Sequence, residues 1–342
     1  MNRSVLVLRS LLAALLLTAS ATAQKVETSS MQFLKVMPCA RATAMGDAYS
    51  VLAAGAEAPF WNPAGMAGIR DQEISTTYTL WMMDTKIGAL SLATSLGDLG
   101  ALGLQVQYVD YGTMEEAIWA APYIKGDPYP GLTGRTFRPA AYVLGLTFAR
   151  HLTDRFATGL TVKYAYESLY NGNRAVAMVS QDVYEEVNTW GSGLIFDFGM
   201  YYDTGYRSIR VALAVQNFGA TVAYAKESTP VPLQFRWGIA ADLIGTDPLL
   251  AADPQHRLGL AFDLFQPNDY AQQYHLGMEY EFAGTVALRA GYKFNYDSES
   301  FTAGAGIRQT VGPVRLVFDY SYGKVGNFLG DVHRISVGAG LE

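Results

Sequence analysis

The stretch Val286-Ala287-Leu288-Arg289-Ala290-Gly291-Tyr292-Lys293-Phe294-Asn295-Tyr296 decides how this chain is read. Every even-numbered residue in it is apolar or aromatic, and every odd-numbered one is small, polar or charged. Successive side chains of a strand point to opposite faces, so this is a strand with one greasy and one wet face. A β-sandwich also alternates, but it buries its apolar face in a shared core. Here Arg289 and Lys293 share their face with glycine and asparagine. That face reads as a wet lumen, and the other as a lipid contact.

Working outward, the same period recurs from residue 72 to the end. About fourteen candidate strands start near Ile74, Gly88, Leu102, Ala140, Thr158, Gly193, Ile209, Leu233, Arg257, Tyr274, Val286, Phe301, Val314 and His333. Each runs for roughly ten residues, the length a tilted membrane strand needs. Outward parity is plain in Leu160, Val162, Tyr164 and Tyr166, and again in Leu258, Leu260, Phe262 and Leu264. Connections alternate in length. Those at 97–100, 152–155, 204–206, 283–285 and 311–313 are tight, while 112–138, 170–190, 219–232 and 323–331 are long. Short periplasmic turns and long outer loops are the habit of membrane barrels. The segment 245–255 is the exception, a longish link on the short side.

Composition agrees. Aromatic residues reach 13% while charged residues are only 16%, below the roughly 25% of a soluble domain. Residues 1–23 read as a secretory leader, with Arg3, a Leu/Ala/Val run and Ala21-Thr22-Ala23 as the cleavage site. Removing Arg3 and Arg9 with it leaves 23 basic against 31 acidic residues, a charge of about −8. An acidic exported protein is a poor binder of nucleic acid. Cys39 is alone, so no intramolecular disulfide forms. No stretch after the leader reaches the roughly 18 apolar residues of a spanning helix, so the chain crosses a membrane only as a barrel. The expected location is the bacterial outer membrane, in contact with its lipid.

Residues 24–71 have no period of two. Residues 24–30 are polar and read as a loose periplasmic lead-in. After them comes an Ala/Gly-rich segment in which Asn62-Pro63 is a good helix start and Gly68 a good end. The bland reading is a linker; the favoured one is a compact hatch packed against or inside the barrel. Phe33, Leu34, Met37, Met45, Phe60, Trp61 and Met66 would be its core, or would line an apolar pocket beside it.

The inward parity collects Lys163, Asp197, Arg210, Arg236, Glu279, Arg289, Lys293, Arg315 and Asp319, with Glu167, Asp242, Arg257, Asp263 and Glu281. Charges of both signs at matching depth suggest pairing across the lumen. The four histidines show no ligand spacing, and no nucleophile, phosphate-loop or metalloprotease motif occurs. Neither an enzyme, a metal nor a cofactor is expected.

The run Phe33-Leu34-Lys35-Val36-Met37-Pro38-Cys39-Ala40-Arg41-Ala42-Thr43-Ala44-Met45-Gly46-Asp47-Ala48, followed by Trp61-Asn62-Pro63-Ala64-Gly65, resembles the N-terminal signature of the PorV/PorQ family of outer-membrane proteins. Tyr108-Val109-Asp110-Tyr111-Gly112 and the closing Asp319-Tyr320-Ser321-Tyr322 are also similar to that family. The resemblance implies kinship with FadL-type barrels of fourteen strands. It also implies a hatch containing Arg41, Gly46, Asp47, Trp61, Asn62, Pro63, Ala64 and Gly65. Two functions follow from it. The first is a non-enzymatic part in type IX protein secretion, binding exported cargo or partner proteins through loops that include Tyr123, Pro128, Tyr129 and Pro130. The alternative is a FadL-like channel for uptake of hydrophobic small molecules. The ending Leu341-Glu342 departs from the terminal aromatic common in such barrels.

Overall fold

In the computed structural model, which describes residues 29–118, 131–170, 174–180, 183–219, 221–225, 227–326 and 329–341, the period of two becomes a closed wall. Fourteen long antiparallel strands build it: β1 (Gln72–Leu80), β2 (Lys86–Ser95), β3 (Ala101–Asp110), β4 (Ala140–Thr153), β5 (Phe156–Ser168), β6 (Trp190–Asp203), β7 (Arg210–Gly219), β8 (Gln234–Gly245), β9 (His256–Pro267), β10 (Gln273–Phe282), β11 (Val286–Phe294), β12 (Glu299–Val311), β13 (Val314–Val325) and β14 (Asp331–Leu341). Each hydrogen-bonds to the next, and β14 closes the ring on β1, with Tyr78 opposite Ile335. All fourteen starts lie within three residues of the expected ones.

Parity sets what each face meets. On β4, Leu144, Leu146 and Phe148 point outward and are 46, 53 and 40% exposed, while Ala141, Val143 and Ala149 between them are buried. Large apolar side chains this exposed, repeated around the ring, are stable only against hydrocarbon. Cross-strand aromatics gather toward one rim, where Tyr142 stacks on Tyr166 at 5.0 Å and Tyr166 on Trp190 at 5.8 Å. Rings with one apolar and one wet end favour the membrane boundary. Among the described residues no helix is long and apolar enough to cross a membrane, so the strands do the crossing.

Short turns cluster at one end of the ring and long connections at the other. The long ones carry hairpins of their own: Met114–Ile118 with Gly131–Phe137, Arg174–Ser180 with Val183–Asn188, and Thr221–Tyr224 with Glu227–Pro230. The exceptional link on the short side carries Ala251–Ala252, paired parallel to Ile244 and Gly245. The proposed leader, residues 24–28, and Tyr123, Pro128, Tyr129 and Pro130 lie outside the described residues.

One expectation is corrected at the N-terminus. The sequence puts Ser29 and Ser30 in a loose periplasmic lead-in, yet both are buried at the long-loop end. There Ser30 N–H donates to Pro230 O at 2.9 Å, and the Ser29 hydroxyl donates to Asp269 in the link between β9 and β10. Buried polar groups need partners, and these loops supply them. From that end the chain descends the lumen to β1.

Candidate functional site: the lumen and its hatch

The hatch is a succession of short turns rather than a helix bundle, because its alanines, glycines and prolines leave little side chain to hold a long helix against the wall. It comprises α1 (Ala40–Ala44), α2 (Ala58–Trp61) and the 3-10 turns Gln32–Lys35, Gly55–Glu57 and Pro63–Gly68. Asn62 caps the last turn, its Oδ1 accepting from Ala64 N–H at 3.1 Å. Its Nδ2 donates to Ser50 O (3.0 Å) and to Met200 O on β6 (3.1 Å). One side chain therefore joins two parts of the hatch and the wall. Trp61 is fully buried, donates to Pro38 O at 3.0 Å and meets Tyr49 edge-on at 5.6 Å.

Close approach explains two of the inward glycines. A Cβ on Gly291 of β11 would sit 2.0 Å from Gly46 N and 2.2 Å from Met45 C, and one on Gly199 of β6 would sit 2.1 Å from Asn62 Oδ1. Gly46 itself has φ +64, a left-handed backbone that favours glycine.

The wall presents two different flanks to this hatch. On β8 to β13 it is charged. Arg41 of α1 donates Nε and Nη2 to the two oxygens of Glu279 at 2.8 and 2.7 Å. Glu279 also accepts from Arg289 (2.6 Å) and lies 3.3 Å from Arg257, and Arg289 reaches Asp319 at 2.6 Å. Higher up, Lys293 pairs with Asp47 of the hatch (2.6 Å) and with Glu299 (2.5 Å). Asp263 on β9 accepts from Ser50 N–H (2.9 Å), Ser50 Oγ (2.9 Å) and Tyr49 N–H (3.2 Å). These buried pairs are well oriented and multiply bonded, the conditions under which such pairs hold two surfaces together.

On β2 to β6, toward the long-loop end, the inward face carries an apolar patch, beside which Glu167 accepts from the Tyr111 and Tyr224 hydroxyls and Gln107 donates to Val36 O. Ile87, Val109, Ala141, Val143, Ala165 and Ile195 face the lumen from five adjacent strands and are buried. The chamber they form is filled by the protein's own Met31, Phe33 and Leu34. Polar bonds hold that segment down: Asp269 accepts from Gln32 Nε2 (2.8 Å) and Lys35 Nζ (3.1 Å) as well as from Ser29. Burial pushes the Asp269 carboxyl up, but these donors and the Lys35 charge outweigh it and hold it below its ordinary value.

The charges do not pair across an open lumen, because the hatch stands between. They pair with the hatch or with strands one or two places away along the wall. Lys163 lies 2.8 Å from Asp197 and donates to Asn217 at 2.6 Å beside a bulge, Arg210 lies 3.6 Å from Asp242, and Arg315 lies 3.5 Å from Glu73. Arg236 is instead sandwiched between Phe265 at 4.1 Å and Trp61 at 5.2 Å. Nor do Phe33, Leu34, Met37, Met45, Phe60, Trp61 and Met66 line an open pocket; all are buried, split among three packed clusters. Open space lies elsewhere. A cavity of about 680 Å³ at the short-turn end is bordered by Arg41, Glu57, Glu73, Arg308, Arg315 and Asp319. A second, of about 490 Å³, is an apolar dent over Ile74, Leu92, Leu104, Leu146 and Leu341. Asp269, Ser50 and Tyr49 were missed from the sequence. Only the fold brings a link residue at 269 to a turn at 29–35.

A strand barrel of fourteen with a hatch threaded through its lumen is an outer-membrane type of fold. No protein-family model matches this chain, and no curated protein matches it. Solved structures do. The Pseudomonas putida toluene transporter TodX superposes with a TM-score of 0.56 at 13% identity, over 89% of this chain and 97% of that one. The CymD monoaromatic hydrocarbon channel gives 0.53 at 12%, over 89% and 96%. A Pseudomonas aeruginosa FadL homologue gives 0.50 at 12%, over 89% and 98%. At these identities the likeness defines the fold. The PorV/PorQ signature has no counterpart among these findings.

Proposed function

We propose that this protein is an outer-membrane channel that takes up hydrophobic small molecules. The observation that carries this is the apolar patch on the inward side of β2 to β6, filled by Met31, Phe33 and Leu34. A water-filled pore has no use for isoleucine and valine on its lumen side, whereas an apolar ligand does. The fold shared with hydrocarbon transporters supports the same reading. Met31, Phe33 and Leu34 occupy the chamber in the resting state, and a ligand enters by displacing them. The charged flank keeps the hatch fixed on its other side, so movement is confined to the N-terminal segment. The role in type IX secretion rests on the sequence signature alone and is the weaker reading.

The test is equilibrium binding of toluene and of a long-chain fatty acid to the purified protein. Wild type should bind one of them saturably, and Phe33→Ala, which enlarges the chamber, should tighten that binding. No saturable binding of either probe by wild type or variant would remove the proposal.

A further inference from the structure

One carboxylate beside the apolar chamber has no cation to balance it. Glu167, near the end of β5, is 7% exposed, and its two oxygens accept from the hydroxyls of Tyr111 at 2.9 Å and Tyr224 at 2.6 Å. Those partners are neutral, and among the described residues no lysine, arginine or histidine forms an ion pair with it. Both tyrosines pack against the cluster that fills the chamber. Ala141 of that cluster lies directly opposite Glu167 on β4, and Ala165 precedes it by two residues on the same face. The carboxylate therefore stands at the chamber's edge.

Cations near the chamber have acids of their own. Lys163 lies against Asp197, and Lys35 against Asp269. Arg334, seated on the Trp81 ring that packs at the chamber's border, has Asp47 and Glu299 as charged neighbours. The charge of Glu167 is left over. In water such a surplus is screened, but among isoleucine, valine and alanine the local dielectric is low and mobile ions are excluded. A ligand that displaces Met31, Phe33 and Leu34 comes to rest beside it. A carboxylate on that ligand meets a like charge. An ammonium or a hydroxyl finds a partner, because a carboxylate offers about four acceptor positions and the tyrosines use only some of them.

We infer that Glu167 sets the charge of the ligand: the chamber takes apolar molecules that are neutral or cationic and refuses anionic ones, long-chain fatty acids among them. This rests on the uptake reading above and narrows it.

The test is calorimetric titration of the full barrel, in a nonionic detergent at neutral pH, with phenylbutanol, phenylbutylammonium and phenylbutyrate, which share one apolar frame. The alcohol and the ammonium should bind saturably, and the carboxylate at least about tenfold more weakly than the alcohol. In Glu167→Gln that gap should shrink to within about threefold. Glu115→Gln, at an exposed acid of the hairpin that follows β3, should keep the wild-type gap. If Glu167→Gln does not fold, Tyr224→Phe, which strips one neutral donor from the carboxylate, should widen the gap between ammonium and carboxylate. Phenylbutyrate bound as tightly as the alcohol by wild type overturns this inference and leaves uptake standing, as does a gap that neither variant moves. No saturable binding of any of these probes removes the uptake reading and this one with it.

Discussion

Arg41 and Glu279 form a two-pronged ion pair, 2.8 and 2.7 Å long, that joins the hatch to the wall in the middle of the lumen. Glu279 is nearly enclosed and also serves Arg289 and Arg257. Removing Arg41 therefore does not strand the carboxylate, whereas removing Glu279 leaves four arginines, Arg41, Arg257, Arg289 and Arg308, around one spot. Arg41→Met should cost about 2 kcal/mol, and Glu279→Gln about 3 to 5 kcal/mol, the range for breaking a buried pair. Denaturant unfolding in detergent measures both. An equal or inverted order would mean that Glu279 is not the hub.

Glycine substitutions separate contact from mere composition. Gly291→Ala puts a methyl into the hatch backbone at 2.0 Å, where no flexible side chain can yield. It should destabilise by more than about 2 kcal/mol. Gly193→Ala meets Val222 Cγ2 at 3.6 Å, ordinary contact, and should be close to neutral. Melting temperatures of the two variants decide it; similar losses would contradict the seating of Gly46 on β11.

Asp269 fixes the N-terminal segment, and its titration gives a signed expectation. Its carboxyl is held below the ordinary value, so its contribution is fully present above the unfolded pKa of about 3.9 and is lost as pH falls through the folded one. Proteolysis at residues 29–35 should stay slow from about pH 7 to 5 and speed up only below about pH 4. Asp269→Asn should already be sensitive at neutral pH.

The membrane face can be read by a single charge. Leu146, outward and 53% exposed in the middle of β4, should cost about 2 to 4 kcal/mol as Leu146→Arg in a bilayer. The same protein measured in detergent, where the face is looser, should show a smaller loss. Equal losses would argue that this face does not meet lipid.

Much of the wall was legible because two-residue periodicity is local: Leu160, Val162 and Tyr164 reveal their common face without reference to any other strand. The turn lengths and the Asn62-Pro63 start were legible for the same reason. What escaped depends on contacts between distant residues. Lys293 could be assigned to the lumen, but its bond to Asp47 depends on where the hatch stops. The burial of Ser29 and Ser30 depends on Asp269 and Pro230, more than 190 residues away. Alternation tells a side chain which way to point, never what will be there.

The descent of the hatch from the long-loop end has a bearing on how the molecule is made. The segment that fills the lumen is synthesised before any of the wall, and the ring is completed by the most distant pairing in the chain, Glu73 with Gly340. A finished cylinder offers no easy way in for a knotted run of turns clamped by Arg41, Asp47 and Asn62. Biogenesis must therefore wrap the late strands around an interior already in position, so that zipping the final seam imprisons the first-born part of the polypeptide.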